Sequence, residues 1–330
     1  MILDKEQEHA ATGVVAQAKR NGLSTLGGYA GTGKTAILCH LATTLGEGWK
    51  FVAYTGKAAS NLRKKGVNAS TIHSTIYSSY GDPPEWELKH INNLEGFAID
   101  EASMVGQSLL DDLKSFGKPI IAVGDHGQLP PVGDSAGLMK NPEFRLEKIH
   151  RNSGQIAEFA QLLREDGDID RWSNTDQVKV IDQNCLSIEI LAKVDQVITA
   201  YNYMKDKCNN KIREYLKLSG EISVGDKIIV LKNNKKHNVF NGQQGIVTAL
   251  KHRRLVLDNK ITFPYTTVYS RNFDLVPIDF AYCLTCHKVQ GDEFDSVVVL
   301  EDSPTDLWAQ SQWNYTAASR AKKTLLWVKK

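Results

Sequence analysis

The run Gly28-Tyr29-Ala30-Gly31-Thr32-Gly33-Lys34-Thr35 constrains this chain most, because it works only where a β-strand ends and a helix begins. Its glycines let backbone amides curl inward, and the unpaired N–H groups of a helix start then face an anion. The flanks agree: Thr25 to Gly28, led by Leu23, is short and β-tolerant, and Ala36 to Leu45 is good helix sequence. A loop of this kind cradles phosphate, with Lys34 as a point charge for the β and γ phosphates and the Thr35 hydroxyl suited to Mg2+. It predicts an α/β fold that binds a nucleotide. It does not choose between ATPases, kinases, GTPases and sulfotransferases, which all use such a loop.

The rest of the first half continues the alternation. Residues 4–20 read as a helix stopped by Asn21-Gly22, and strands are expected at Phe51 to Tyr54, Phe97 to Ile99 and Pro119 to Val123. Strands alternating with helices imply a parallel sheet covered on both faces. The alternation returns with strands at Gln196 to Thr199, Ser296 to Leu300 and Thr324 to Val328, and helices at Asn202 to Leu218 and Ala309 to Arg320. A second α/β domain follows from that. Between its parts lie Ile228 to Leu231, Gly245 to Thr248, Leu255 to Leu257 and Ile261 to Phe263, short strands with Asn, Gly and Lys-rich turns that predict a small inserted β-barrel. A shorter insert is expected around Gly81-Asp82-Pro83-Pro84, where Tyr80 and Trp86 suit a hairpin and a surface loop is the alternative.

With 330 residues, two domains are expected, and 42% apolar residues suffice to bury both. A net charge of +2 excludes a uniformly basic surface, so any nucleic-acid contact must be local or rest on hydrogen bonds and stacking. No run approaches the roughly 20 apolar residues that span a bilayer, and Met1 to Glu6 does not read as a signal peptide. A soluble, cytoplasmic protein with no membrane partner is expected. Five irregularly placed cysteines suit reduced thiols, and Cys283 and Cys286, though a CxxC, have no second ligand pair for zinc.

Two further runs carry chemistry. Asp100-Glu101 follows an apolar strand, so both carboxylates emerge at the sheet edge where open α/β folds bind ligands. There Asp100 can hold Mg2+ and Glu101 can deprotonate an attacking water, which points to hydrolysis. Gly124-Asp125-His126-Gly127-Gln128-Leu129-Pro130-Pro131 presents Gln128 beside a stiff Pro-Pro, where it can sense a γ-phosphate.

Together and in this order, these motifs resemble superfamily 1B helicases of the RecD-like and phage Dda-like group, from Leu3 to about Val328. Leu3 to Ala10 resembles the adenine-recognition segment, Tyr54 to Ala59 motif Ia, and Ala69 to Ser74 the next strand-contacting motif. Asp100-Glu101 is similar to motif II, Gly124 to Pro131 to motif III, and Ile149 to Asn152 to the arginine motif at the domain border. Thr199 to Asn202 resembles a domain-two DNA segment, Phe240 to Gly245 the turn of an inserted barrel, Thr285 to Gly291 motif V, and Tyr315 to Ala321 motif VI. Tyr54 stands where the family usually has proline, and a tyrosine can stack on a base.

The resemblance implies two RecA-like P-loop NTPase domains with parallel sheets, at residues 1–150 and 151–330. It adds a short hairpin insert at about 76–94 and an SH3-like barrel insert at about 220–279. It implies an ATP-dependent 5′ to 3′ DNA translocase and helicase, with ATP and Mg2+ held between the domains. An RNA helicase and a nucleotide-gated binding module with weak motor activity stay open as alternatives. The implied catalytic residues are Lys34, Glu101, Gln128, Arg151 and Arg320. The implied nucleotide set is Gln7, Gly28, Ala30, Gly31, Thr32, Gly33, Lys34, Thr35, Asp100 and Gly291, with Thr35 and Asp100 on the metal. Single-stranded DNA would meet Tyr54, Thr55, Lys57, Thr71, His73, Asn202, Thr285 and His287, and Tyr80, Pro83, Pro84 and Trp86 would form the wedge at a duplex junction. The implied setting is a monomer in replication, repair or recombination in a bacterial cell or phage-infected host, with a single-strand-binding protein or replication and repair factors as further partners.

Overall fold

The structure, a computed structural model, describes residues 3–80, 85–130, 133–148, 154–165, 168–268, 270, 272, 274–302 and 307–329. The chain divides into two compact units, Met1–Ala157 and Glu158–Lys330.

The first unit begins with helix α1 (Lys5–Asn21), started by a capping box between Asp4 and Gln7 and ended by Gly22 in a left-handed conformation. Strand β1 (Leu23–Gly28) feeds α2 (Lys34–Thr44), followed by β2 (Trp49–Ala53), α3 (Gly56–Lys64), β3 (Ala69–Thr71) and α4 (Ile72–Ile76). Then come β4 (Tyr77–Tyr80), β5 (Glu85–Leu88), β6 (Gly96–Asp100), α5 (Gln107–Ser115), β7 (Ile120–Gly124) and β8 (Phe144–Leu146). Six of these strands form one sheet in the order β3-β2-β6-β7-β1-β8, with every pairing parallel. Successive residues of β7 show why it is covered twice. Ile121 and Val123 join α1 and α2 in one core, while Ile120 and Ala122 join Leu109, Leu110 and Leu113 of α5 in the other. Each fully buried leucine contributes on the order of 2 kcal/mol.

Strands β4 and β5 pair antiparallel as a separate two-stranded ribbon. The hairpin reading of this insert therefore holds over the surface-loop alternative. Its turn residues, Pro83 and Pro84 included, lie outside the described residues, as does Arg151.

Helix α6 (Gly154–Glu165) carries the chain into the second unit, which continues with β9 (Val178–Asp182), α7 (Ile188–Lys193), β10 (Gln196–Thr199) and α8 (Asn202–Tyr215). The barrel follows as β11 (Lys227–Val230), β12 (Gln244–Lys251), β13 (Arg254–Leu257), β14 (Ile261–Thr266) and β15 (Val276–Phe280). The unit closes with β16 (Cys283–Thr285), β17 (Phe294–Leu300), α9 (Leu307–Ala318) and β18 (Ala321–Lys329). Its sheet runs β16-β10-β17-β18-β9, again parallel throughout, and β11 to β15 close on themselves. The barrel has its own core of Ile228, Val230, Val247, Leu255, Leu257, Phe263, Val276 and Ile278. An α/β architecture with two parallel sheets, a hairpin and a closed barrel is therefore what the chain adopts.

The barrel is fastened by a buried ion pair. Asp226 accepts from Arg213 Nε at 2.9 Å and Nη2 at 3.1 Å, from the Ser223 amide at 2.7 Å and from the Tyr282 hydroxyl at 3.2 Å. Arg213 also lies 4.1 Å over the Phe280 ring. One carboxylate thus joins α8, the barrel entry and the segment entering β16.

Candidate nucleotide site and nucleic-acid interface

Parallel pairing brings the predicted nucleotide residues of the first unit, Gly28 to Thr35 and Asp100, to one sheet edge, while Gly291 belongs to the second unit. Gly27 pairs with Gly124, Ile99 with Ala122 and Ala53 with Asp100, so β1, β7, β6 and β2 end within about a residue or two of one another. The loop between β1 and α2 needs glycine twice, at Gly31 (φ 81°) and Gly33 (φ 89°), a region that side chains disfavour. Lys34 Nζ donates to the carbonyls of Gly28 at 2.6 Å and Tyr29 at 2.8 Å, and lies 3.6 Å from Asp125. Asp125, almost fully buried, accepts from the Gly127 amide at 2.9 Å and from Gln128 Nε2 at 3.3 Å. Lys34, Asp125 and Gln128 therefore form one chain, and Tyr29 packs on His126 beside it at 4.3 Å.

Two features of this edge suit a nucleotide phosphate and its cation. The buried Oε1 of Gln128 has no hydrogen-bond partner among the described residues, although a buried polar atom ordinarily finds one. Glu101 holds a left-handed backbone (φ 55°, ψ 41°), a strained state for a residue with a side chain, and its amide donates to Asp100 Oδ1 at 3.0 Å. Burial pushes the Asp100 carboxyl above its ordinary range, against the Glu101 hydrogen bond and the charges of Lys34 and Lys65. A cation there would relieve that penalty. Gln7, also buried, donates to the Thr32 carbonyl at 3.2 Å while its Oε1 accepts from the Asp4 amide at 3.1 Å. It lies against the phosphate loop. Thr35 stands in the first turn of α2, and Gly28, Ala30 and Thr32 line the loop itself.

The predicted DNA residues fall at the same edges. Thr55 and Thr71 cap α3 and α4, accepting from the amides of Ala58 and Ser74 at 3.2 Å each. Ala53 pairs with Thr71, which brings Tyr54 and His73 together with ring centres 6.2 Å apart. Lys57 is exposed on α3, and Trp86 is exposed on the hairpin. The Tyr80 side chain lies outside the described residues. In the second unit Thr199 pairs with Thr285, so Asn202, exposed at the start of α8, and the turn carrying His287 belong to one edge. Burial lowers the pKa of both His73 and His287, so these rings are neutral near pH 7. They offer stacking and hydrogen bonds rather than charge.

Arg320 is 4% exposed and donates to the Thr316 carbonyl at 3.0 Å, the Asp292 carbonyl at 3.2 Å and Ser319 Oγ at 2.9 Å. These partners are neutral, so its charge stays available to an anion. Gly291, with φ 78°, forms the turn beside it. Cys283 and Cys286 are buried thiols with raised pKa, Cys286 to about 12, desolvation being the main cause.

Sequence reasoning passed over four residues that shape these edges. Asn209 clamps the backbone of Cys283 from both sides, at 3.1 and 2.8 Å, as a neighbouring strand would. Asp302 accepts from Thr199 Oγ1 at 2.5 Å and the Ala200 amide at 2.6 Å. Lys288 donates to Asn241 of the barrel turn at 2.9 Å. Asp125 is the fourth, and its place in the motif III run was the available signal.

The family model described as AAA domain matches residues 2–183, more than half of the 330 residues. The chain belongs to the AAA domain family. A second model, UvrD-like helicase C-terminal domain, matches residues 280–328 of this AAA-domain protein. Among curated proteins it is 28% identical to the ATP-dependent RecD2 DNA helicase of Deinococcus radiodurans, across 94% of this chain and 47% of the relative. It is 26% identical to the RecBCD enzyme subunit RecD of Mycolicibacterium smegmatis, across 96% of this chain and 69% of that one. The chain thus spans about half the length of the first of these relatives. Its fold matches that of Bacteroides Pif1 with a TM-score of 0.62 at 20% identity, covering 99% of this chain and 92% of the other. These likenesses are to RecD helicases in sequence and to Pif1 in fold.

Proposed function

We propose that this chain is an ATP-dependent single-stranded DNA translocase and 5′ to 3′ DNA helicase. One observation carries the reading: a phosphate loop, Asp100-Glu101 and Gln128 at the edge of one parallel sheet occur with a second parallel sheet that presents Thr285 and His287 at one edge and a carbonyl-held Arg320 at the opposite one. A binding module needs no such second sheet. Two relatives support it, since RecD2 is named an ATP-dependent DNA helicase and Bacteroides Pif1 was solved bound to single-stranded DNA.

In this reading the phosphate loop holds the ATP phosphates, Lys34 neutralises the β and γ oxygens, and Gln7 meets the base. Thr35 and Asp100 would hold Mg2+, which would supply further neutralisation of phosphate charge. Glu101 takes the proton of the attacking water, and Oε1 of Gln128, without a hydrogen-bond partner among the described residues, orients that water. Arg320, and Arg151 by resemblance, stabilise negative charge in the transition state. The strand is held by Tyr54, Thr55, Lys57, Thr71 and His73 in one unit and by Asn202, Thr285 and His287 in the other, and the hairpin with Trp86 parts the duplex. The same reading divides the chain at about residue 150, with the hairpin at 76–94 and the barrel at 220–279 as inserts.

Strand displacement on duplexes with a 5′ or a 3′ single-stranded tail tests it. Displacement from the 5′-tailed duplex alone is expected, and activity only on the 3′-tailed one rejects the assigned polarity. Glu101→Gln should bind nucleotide normally and lose turnover by about 10²–10⁴-fold. Unchanged turnover removes Glu101 as the base, and stimulation of the ATPase by RNA in preference to DNA would move the substrate class to RNA.

A further inference from the structure

The hairpin has little core of its own. Each strand has four residues, Trp86 is 59% exposed, and an isolated two-stranded hairpin is marginally stable in water. A wedge must resist the duplex, so something outside the hairpin has to stiffen it. The register pairs Tyr77 with Leu88 and Ser79 with Trp86, which puts Tyr77 and Trp86 on one face as diagonal neighbours. Their rings meet edge to face at 6.2 Å, and Tyr77 in turn packs on His73 at 5.8 Å. Among the described residues Lys89 ties the ribbon to the segment just before it, through the carbonyls of Ile76 at 2.7 Å and Ser74 at 2.6 Å. The Tyr77 hydroxyl reaches farther. It donates to Asp112 on α5, a helix packed under the nucleotide-binding sheet and 35 residues away in sequence. Burial, with Asp112 adding to it, pushes this phenol up to about 12, so it remains a donor at any working pH.

We propose that Tyr77 is a positioning residue whose hydroxyl, bonded to Asp112, braces the Trp86 face of the hairpin on α5 so that the hairpin stands rigid against a duplex. This rests on the helicase reading and adds to it the part that makes the wedge stiff. A hydroxyl donating to a carboxylate is a strong hydrogen bond, and its loss is felt where load is applied.

Tyr77→Phe and Asp112→Leu each remove the bond and nearly keep the shape, the leucine leaving the hydroxyl no acceptor. In both, kcat of the single-strand-stimulated ATPase and the DNA concentration for half stimulation should stay within about twofold, while the rate of strand displacement falls roughly tenfold, as loss of one charge-assisted bond allows. The double variant should be no worse than either single one. The Trp86 indole resonance, assigned by its loss in Trp86→Phe, should shift and broaden in Tyr77→Phe. Unchanged displacement in both variants overturns the brace, and so does an equal fall of ATPase and displacement, which would mean a general loss of structure. If the unaltered protein displaces no strand, the helicase reading fails, and the indole resonance alone then decides: unmoved, it overturns the brace.

Discussion

Replacing Asp226 by Asn changes one atom and is expected to cost about as much as deleting the side chain. The carboxylate is fully buried and receives four donors, Arg213 Nε and Tyr282 Oη on one oxygen, Arg213 Nη2 and the Ser223 amide on the other. Whichever way an Asn amide turns, its NH2 faces two of those donors. Two hydrogen bonds are lost and the Arg213 charge is left buried without an anion, a loss of about 3 kcal/mol, with about 3–5 kcal/mol for Asp226→Ala. Against a total stability of about 5–15 kcal/mol that is a large share. The melting midpoint should fall by about 6–12 °C, taking 2–4 °C per kcal/mol for a unit of this size. Since Tyr282 leads into β16 and so to Thr285 and His287, single-strand affinity should fall while nucleotide binding holds. Calorimetry, with fluorescence anisotropy for DNA and for nucleotide, reads all three. The control Arg213→Met with Asp226→Leu removes both charges and should cost far less than Asp226→Asn. A cost below about 0.5 kcal/mol for Asp226→Asn would refute the reasoning, since it would mean that water, not the four donors, solvates the carboxylate.

Asp100, whose folded pKa is raised, should weaken the protein without ligand. The penalty appears as pH rises from the ordinary carboxyl value through the folded one and is complete above both. Asp100→Asn should therefore melt higher without nucleotide while losing turnover, and Mg2+ affinity of the unaltered protein should decline with falling pH sooner than for an ordinary aspartate. Melting curves and Mn2+ binding followed by electron spin resonance check both. Arg320→Lys cannot reproduce the three-way hold on Thr316, Asp292 and Ser319. Turnover should fall on the order of 10³-fold with nucleotide affinity nearly unchanged, and a steady-state ATPase assay with a binding titration tells whether it does.

What the chain reveals before folding is what neighbouring residues dictate to each other. The loop Gly28 to Thr35, the pair Asp100-Glu101 and the run to Gln128 are local: glycines at fixed offsets, a strand ending in acids, a helix started in register. Long apolar runs such as Ser296 to Leu300 and Thr324 to Val328 announce strands in the same way. The three-residue strands β3, β8 and β16, all parallel, leave no such trace, because three residues show no period and their pairing is supplied by distant chain. Helix α8 stops at Tyr215 rather than Leu218, where Leu216 and Lys217 turn the chain out of the helix.

Other features belong wholly to tertiary structure. The sequence determined that a nucleotide loop and two carboxylates sit at strand ends, since strand-to-helix geometry follows from a few adjacent dihedral angles. Folding decided that Asp125 joins Lys34 to Gln128, that Asp302 locks Thr199 across 103 residues, and that Tyr77 finds Asp112. Each of these depends on one polar atom meeting another after burial has removed water. That selection acts on distance in space and has no counterpart in residue spacing.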